Sequence, residues 1–271
     1  MAAELVQIER RPGGIALVTL NDPDRLNAMT EAMGRAIESA VAELKDEAGL
    51  RAVVLTGAGR AFSAGGDLDM LVRMAKAGNA DPGGLTRDAH AAFMGRFYRM
   101  YLSLRDLPVP VVAALNGAAI GAGLCVALAC DLRIAAREAK LGLNFTQLGI
   151  HPGMAATWTL PRIIGSAQAA ELIYTGRLVD GEEAARIGLA NRAVPREETL
   201  AAALALAAEI ASAAPLAVRG AKRSLAASGQ SDLEAQLGRE AAEQALCYES
   251  ADLLEGLAAV REKRPPKFSG T

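Results

Sequence analysis

Cysteine is scarce in this chain: three residues in 271, Cys125, Cys130 and Cys247, in no pairing pattern. An odd, sparse count with two members inside an apolar run argues against a disulfide framework or a cysteine metal site. It fits buried, reduced thiols, so a cytoplasmic setting without a bound metal is expected. Net charge is slight as well. At −2 there is no global basic field to recruit nucleic acid or an anionic membrane, and neither partner is expected. The first eleven residues carry Glu4, Glu9, Arg10 and Arg11 and lack the apolar centre of a secretion signal. Residues 107–130 have no charge, enough length for a membrane span, yet Pro108, Pro110, Asn116, Gly117, Gly121 and Gly123 would break or polarise one. A buried strand, a tight turn and a buried helix account for all six. Phosphate-loop lysine motifs are missing too. Gly121-Ala122-Gly123 opens like a dinucleotide-binding turn, but Val126 stands at the third glycine position. Phe62-Ser63-Ala64-Gly65 is no nucleophile elbow, which weakens a serine hydrolase reading built on Ser63 with His90 or His151.

What the chain has is apolar residues, 51% of the total, enough to bury a large core in one domain or a domain with an appendage. Short runs rich in Val, Ile and Leu at 15–20, 52–56, 111–115 and 132–135 end at Gly, Asn or Asp and read as strands. Helical patterns lie between them at 30–45, 86–105 and 124–130, the first starting at a Thr cap. Alternating elements, with strands apolar on both faces, predict an α/β domain whose sheets are covered by helices. Val53-Val54-Leu55-Thr56-Gly57 and Val112-Ala113-Ala114-Leu115-Asn116-Gly117 form a weak internal repeat, a strand–turn–helix unit used twice. After Pro195 the composition turns alanine-rich, and helices are expected at 200–214, 216–228, 232–250 and 251–261. The division that follows is a core over 1–195 and a helical region over 196–271, too thin to fold alone.

Two glycine-rich turns carry the chemistry: Ala61-Phe62-Ser63-Ala64-Gly65-Gly66-Asp67-Leu68 and Asn116-Gly117-Ala118-Ala119-Ile120-Gly121-Ala122-Gly123-Leu124. Each follows a strand-like run and opens into a helix. A small-residue turn at a helix start leaves backbone N–H groups bare, and the helix dipole adds partial positive charge there. If the two turns converge, Gly66 N–H and Ala122 N–H form an oxyanion hole, able to stabilise charge developing on a carbonyl oxygen.

At these turns the chain resembles the crotonase superfamily, the enoyl-CoA hydratase/isomerase family. Further carriers are Asp24-Arg25-Leu26-Asn27-Ala28-Met29, Asn116 to Asp131, Leu148-Gly149-Ile150-His151-Pro152-Gly153, Leu160-Pro161-Arg162, Tyr174-Thr175-Gly176, Ala184 to Leu189 and the terminal Glu262 to Phe268. The resemblance spans nearly the whole sequence. It implies an α/β fold, a crotonase-like spiral of ββα units with a C-terminal helical trimerisation region, assembled as a homotrimer or hexamer. It also implies an acyl-CoA thioester as substrate, with coenzyme A carried by the substrate and no separate cofactor. Gly66 and Ala122 match the two oxyanion donors, and the resemblance also implies substrate contacts from Ala64, Asp67, Leu68, Cys125 and Phe145 and, from the preceding segment, Ala28. Arg25 matches a basic position near the CoA phosphates. Lys263, Lys267 and Phe268 match a tail that reaches the adenine end, often of a neighbouring subunit. Asp67 reads as a helix cap more readily than as a chemical group.

The family's acids are missing. Two hydratase glutamate positions read Cys125 and Phe145, and an isomerase aspartate position reads Gly153. General acids and bases each contribute typically about 10²- to 10⁴-fold, so ordinary hydration is expected to be severely weakened without replacements. His151 and Asp69 are the replacement candidates, imidazole being suited to proton transfer near neutral pH. A hydrogen-bonded structural role for His151 stays open. His90 falls on an apolar helical stripe with Phe93, Met94, Phe97 and Tyr101 that is placed to wall an acyl pocket. Cys125 lacks a sequence-local base that would make it a nucleophile. Two functions follow: an enzyme of hydratase/isomerase type that stabilises a thioester enolate, or a catalytically impaired member of the family that binds acyl-CoA.

Overall fold

The computed structural model of the protein describes residues 4–271, so the part of the signal-sequence reading that concerns residues 1–3 lies outside the described residues. In chain order the strands are β1 (Val6–Arg11), β2 (Ile15–Leu20), β3 (Ala52–Gly57), β4 (Ala61–Ser63), β5 (Val111–Leu115), β6 (Ala118–Ile120), β7 (Leu132–Ala136), β8 (Leu141–Gly142) and β9 (Arg192–Val194). The helices are α1 (Glu31–Lys45), α2 (Leu68–Ala80), α3 (Leu85–Leu102), α4 (Ala122–Ala129), α5 (Ala156–Ile164), α6 (Ser166–Thr175), α7 (Gly181–Arg186), α8 (Thr199–Ala211), α9 (Pro215–Ser228), α10 (Leu233–Tyr248) and α11 (Ala251–Glu262).

Two sheets result. The larger has the order β1-β2-β3-β5-β7-β9, parallel throughout except for the β1–β2 hairpin. The smaller is the parallel β4-β6-β8 sheet. The pairs β3/β4, β5/β6 and β7/β8 each place their first strand in the large sheet and their second in the small one. The mixed α/β fold is thus a spiral of ββα turns, and the twofold sequence repeat has a third copy at β7/β8. The first strand of that copy, β7, ends in Ala135-Ala136 and is followed by Arg137, so its sequence lacks the Leu–polar–Gly ending of the other two.

Burial explains why these runs become strands. All six residues of β3 and all five of β5 are buried, as a parallel strand covered on both faces requires. Helix α1 covers one face with Met33, Ile37, Val41 and Leu44, and the Thr30 side chain caps it by accepting from Met33 N at 3.1 Å. Helix α8 covers the other face. Its buried Ala203, Ala207 and Ala211 recur every fourth residue, and such small side chains let the helix lie close over Val54, Ala114 and Ile134.

The uncharged stretch 107–130 folds as β5, β6 and α4, the strand, turn and helix expected of it. Among the described residues no single helix is long and apolar enough to cross a membrane. Two differences from the sequence reading concern short strands. Ala61–Ser63 and Ala118–Ile120 read as parts of glycine turns but form β4 and β6, because three residues are too few for an alternation to show. Helix 86–105 is shorter at its end, where Ser103–Asp106 tightens into a 3-10 turn.

Candidate active site

The first glycine turn is fixed by a segment far from it in sequence. Asn27 sits at φ 54°, a left-handed conformation that asparagine tolerates, and its buried side chain donates to the carbonyls of Ala58 and Ala61. Met29 N donates to Gly65 O at 2.8 Å, and Ala64 N to Leu26 O at 2.9 Å. Ser63 closes the turn: its hydroxyl donates to Asn27 O and accepts from Gly65 N. That hydroxyl is fully buried and committed to the backbone, so the hydrolase reading on Ser63 fails.

The second turn leans directly on the first. Gly121 adopts φ 52° at the start of α4 and donates its N–H to Gly142 O. A β-carbon on Gly123 would stand 2.7 Å from the Ser63 side chain, so glycine there lets α4 pack onto β4. A β-carbon on Gly65, at φ 100°, would meet Ile120 O at 2.6 Å and Ala122 N at 3.8 Å. The two loops are therefore neighbours.

Gly66 and Ala122 line one cleft of about 640 Å³. Ala122 is the first residue of α4, and among the described residues neither its N–H nor that of Gly66 donates to another part of the chain. Arg25, Ala28 and Ala64 lie along the same cleft, as do Asp67, Leu68 and Asp69. Phe145, Gly153 and His151 line it too. Three expected residues do not. Cys125 is buried behind the wall, with its thiol donating to Gly153 O at 3.7 Å. Burial pushes that thiol up to about 12, so it is neither a thiolate nor a nucleophile at neutral pH. Lys263 caps the end of α11, and Phe268 packs over Gly256 in a separate apolar hollow among the C-terminal helices, so neither lines the cleft of its own chain.

Two of the charges at the cleft, Asp67 and Arg25, are already engaged. Asp67 caps α2, accepting from Asp69 N at 2.9 Å and Met70 N at 3.2 Å, and pairs with Arg25 at 2.9 Å. Burial alone would raise its pKa, but the Met70 amide, Arg25 and the Asp69 amide outweigh that and hold the carboxyl below the usual range. The cap reading of Asp67 is the one the structure shows. His151 is exposed at the rim, with Nδ1 2.7 Å from Pro152 O. A carbonyl only accepts, so Nδ1 is the donor in this contact.

The apolar stripe on α3 divides between two hollows. Met94 and Phe97 wall the cleft, while His90 and Phe93 face an adjoining hollow beside Thr30, Glu31 and Arg73. Tyr101 is buried, and its hydroxyl donates to Thr30 O. Five cleft residues are absent from the sequence reading: the apolar Met70, Leu71 and Met154, and the polar Tyr98 and Asn144. Tyr98 was legible in principle, one turn beyond Met94 on the same face. Asn144 had no such signal beside Phe145.

This geometry has close counterparts. The sequence profile of the enoyl-CoA hydratase/isomerase family matches residues 10–271. A mouse protein named enoyl-CoA hydratase domain-containing protein 2, mitochondrial, is 37% identical over 277 residues, covering 98% of this chain and 88% of the relative. Among solved structures, an enoyl-CoA hydratase from Bacillus anthracis superposes with a TM-score of 0.89 at 36% identity, covering 98% of this chain and 100% of that one. An enoyl-CoA hydratase from Polaromonas sp. JS666 does so with a TM-score of 0.87 at 28% identity, over 97% and 99% of the two chains. Fold and sequence agree along nearly the full length, and the chain belongs to the enoyl-CoA hydratase/isomerase family of enzymes.

Proposed function

We propose that the cleft binds an acyl-CoA thioester and that the N–H groups of Gly66 and Ala122 hold the thioester oxygen as it becomes an enolate. The observation that carries this reading is the meeting of two helix-opening turns at one cleft, each contributing a backbone donor without an intrachain acceptor. Such donors are prepaid in orientation, and losing one costs typically about 2.7–4 kcal/mol of transition-state stabilisation. Arg25, half-exposed beside Asp67, supplies positive charge for the CoA phosphates. Lys263 and Phe268 serve the adenine end from a neighbouring copy in a trimer or hexamer, since neither lines its own cleft. His151 and Asp69 are the ionisable groups of the expected set left to move protons.

A second reading, a member of the family that binds acyl-CoA without turnover, draws on Cys125, Phe145 and Gly153, where no carboxylate is present. Crotonyl-CoA and a 3-enoyl-CoA assayed beside calorimetric binding of the same esters separate the two. Ala122→Pro tests the oxyanion role, because proline removes the N–H yet suits the first position of a helix. The expected result is kcat lowered by about 10²- to 10³-fold with ester binding retained. Unchanged kcat in that variant overturns the oxyanion assignment.

A further inference from the structure

Where the acids of the family are absent, the cleft wall has a phenol. Tyr98 projects from α3 into the cleft, half-buried, with its ring edge-on to Phe97. Its hydroxyl stands over Gly153: a β-carbon there would lie 2.5 Å from the Tyr98 hydroxyl oxygen and 2.7 Å from the ring carbon bearing it. The glycine at 153 is thus the room the phenol occupies, and a side chain at that position would expel it. On its other side Gly153 O accepts from the Cys125 thiol. Tyr98, Gly153 and Cys125 form one contact group, in which two of the three acid-less positions support a single O–H. Among the described residues that O–H has no intrachain hydrogen-bond partner.

We propose that Tyr98 is a catalytic residue, the proton donor to the α-carbon of the thioester enolate. The inference rests on the acyl-CoA reading of the cleft. In hydration, the water oxygen bonds to the β-carbon and the π pair moves onto the thioester as an enolate. The enolate pair then takes the Tyr98 proton to form the α C–H bond, and the proton lost by the water restores the phenol. Atoms and charge balance with water as the only co-reactant. Burial, reinforced by Cys125, holds the Tyr98 pKa above the ordinary tyrosine value, so the group is protonated at neutral pH and serves as an acid rather than a base. Among the groups at the cleft, Asp67 is an ionised cap and the Cys125 thiol is sealed behind the wall, so neither competes for this role, and His151 and Asp69 are left to pass the water's proton back to the phenol.

Tyr98→Phe keeps the ring and removes only the hydroxyl. With crotonyl-CoA in D₂O, kcat and deuterium incorporation at the α-carbon are followed by mass spectrometry, and Kd for the ester by calorimetry. The expected result is a fall of about 100-fold or more in kcat and in deuterium incorporation, with Kd within about twofold of the parent. Gly153→Ala, which crowds the hydroxyl without deleting it, is expected to lower kcat by about tenfold or more, with folding checked by circular dichroism. Tyr98→Phe retaining kcat within about threefold overturns the proposal and leaves the acyl-CoA reading standing. Binding without turnover by the parent protein also overturns it while sparing that reading. Failure of the parent to bind any CoA ester sinks both.

Discussion

Helix α4 and helices α10 and α11 treat apolar residues in opposite ways. Every residue of α4 from Ala122 to Ala129 is buried, so the helix has no polar face. Helices α10 and α11 leave Leu237, Leu246, Leu254, Leu257 and Val260 exposed. The first arrangement positions: a helix sealed on all sides cannot shift, and its opening turn is held against the Gly65 turn within contact distance. The second has the last residues of the chain tied down by polar clamps instead, within the C-terminal region and onto the core. Asp252, buried, accepts from Ser269 N at 2.7 Å and Gly270 N at 2.9 Å, and Arg51 donates to Phe268 O at 2.6 Å. Packing fixes the cleft, while hydrogen bonds and ion pairs fix the tail.

Disruption in the first region is expected to cost most. Phe62→Ala empties a fully buried site under the first turn, and urea unfolding should show a loss of about 3–5 kcal/mol. Gly65→Ala combines a positive φ with collision against Ile120 O, costing about 2–5 kcal/mol by urea unfolding and abolishing CoA-ester turnover. Either variant behaving like the parent would break the claim that packing sets the cleft.

The tail should respond more weakly. Asp252→Ala strands the Ser269 and Gly270 amides, a loss of about 1–3 kcal/mol that limited proteolysis would detect first near residue 269. Glu255, paired with Arg264 and accepting from Lys267 N, has its carboxyl held down to about 2. Its pKa is lower folded than unfolded, so its contribution is complete above the ordinary carboxylate value near 4.5 and is lost as pH falls toward about 2. The protection of the Lys267 amide, its exchange relative to an unstructured chain at the same pH, should fall on acidification across that window, and a flat protection profile removes the clamp. Smallest of all, Leu254→Ala should lie within about 0.5 kcal/mol in an isolated chain. A change in sedimentation for that variant, with stability intact, would identify its face as one covered by another copy.

Legibility followed the same division. The buried runs of β2, β3, β5 and β7 were readable because strands covered on both faces are apolar almost throughout, with Thr19, Thr56 and Arg133 as the polar exceptions. Thr30 announced α1, and the alanine-rich composition announced the helices after 195. Strands β4, β6 and β8, at two or three residues each, carried no such signal, since their pairing is imposed by the sheet they join. The glycine turns named Gly66 and Ala122, whereas Tyr98, one turn beyond Met94, escaped because helical spacing groups residues on a face without saying which face lines a cleft.

The order of elements, the glycines at tight turns and the absence of carboxylates at 125, 145 and 153 were settled by the residues themselves, because local propensity and side-chain chemistry need no distant partner. That Gly65 touches the second turn, that Arg25 is tied to Asp67 and that the Tyr98 phenol fills the space left by Gly153 were settled only in three dimensions. Each is a contact between residues tens of positions apart, fixed by how the ββα turns stack.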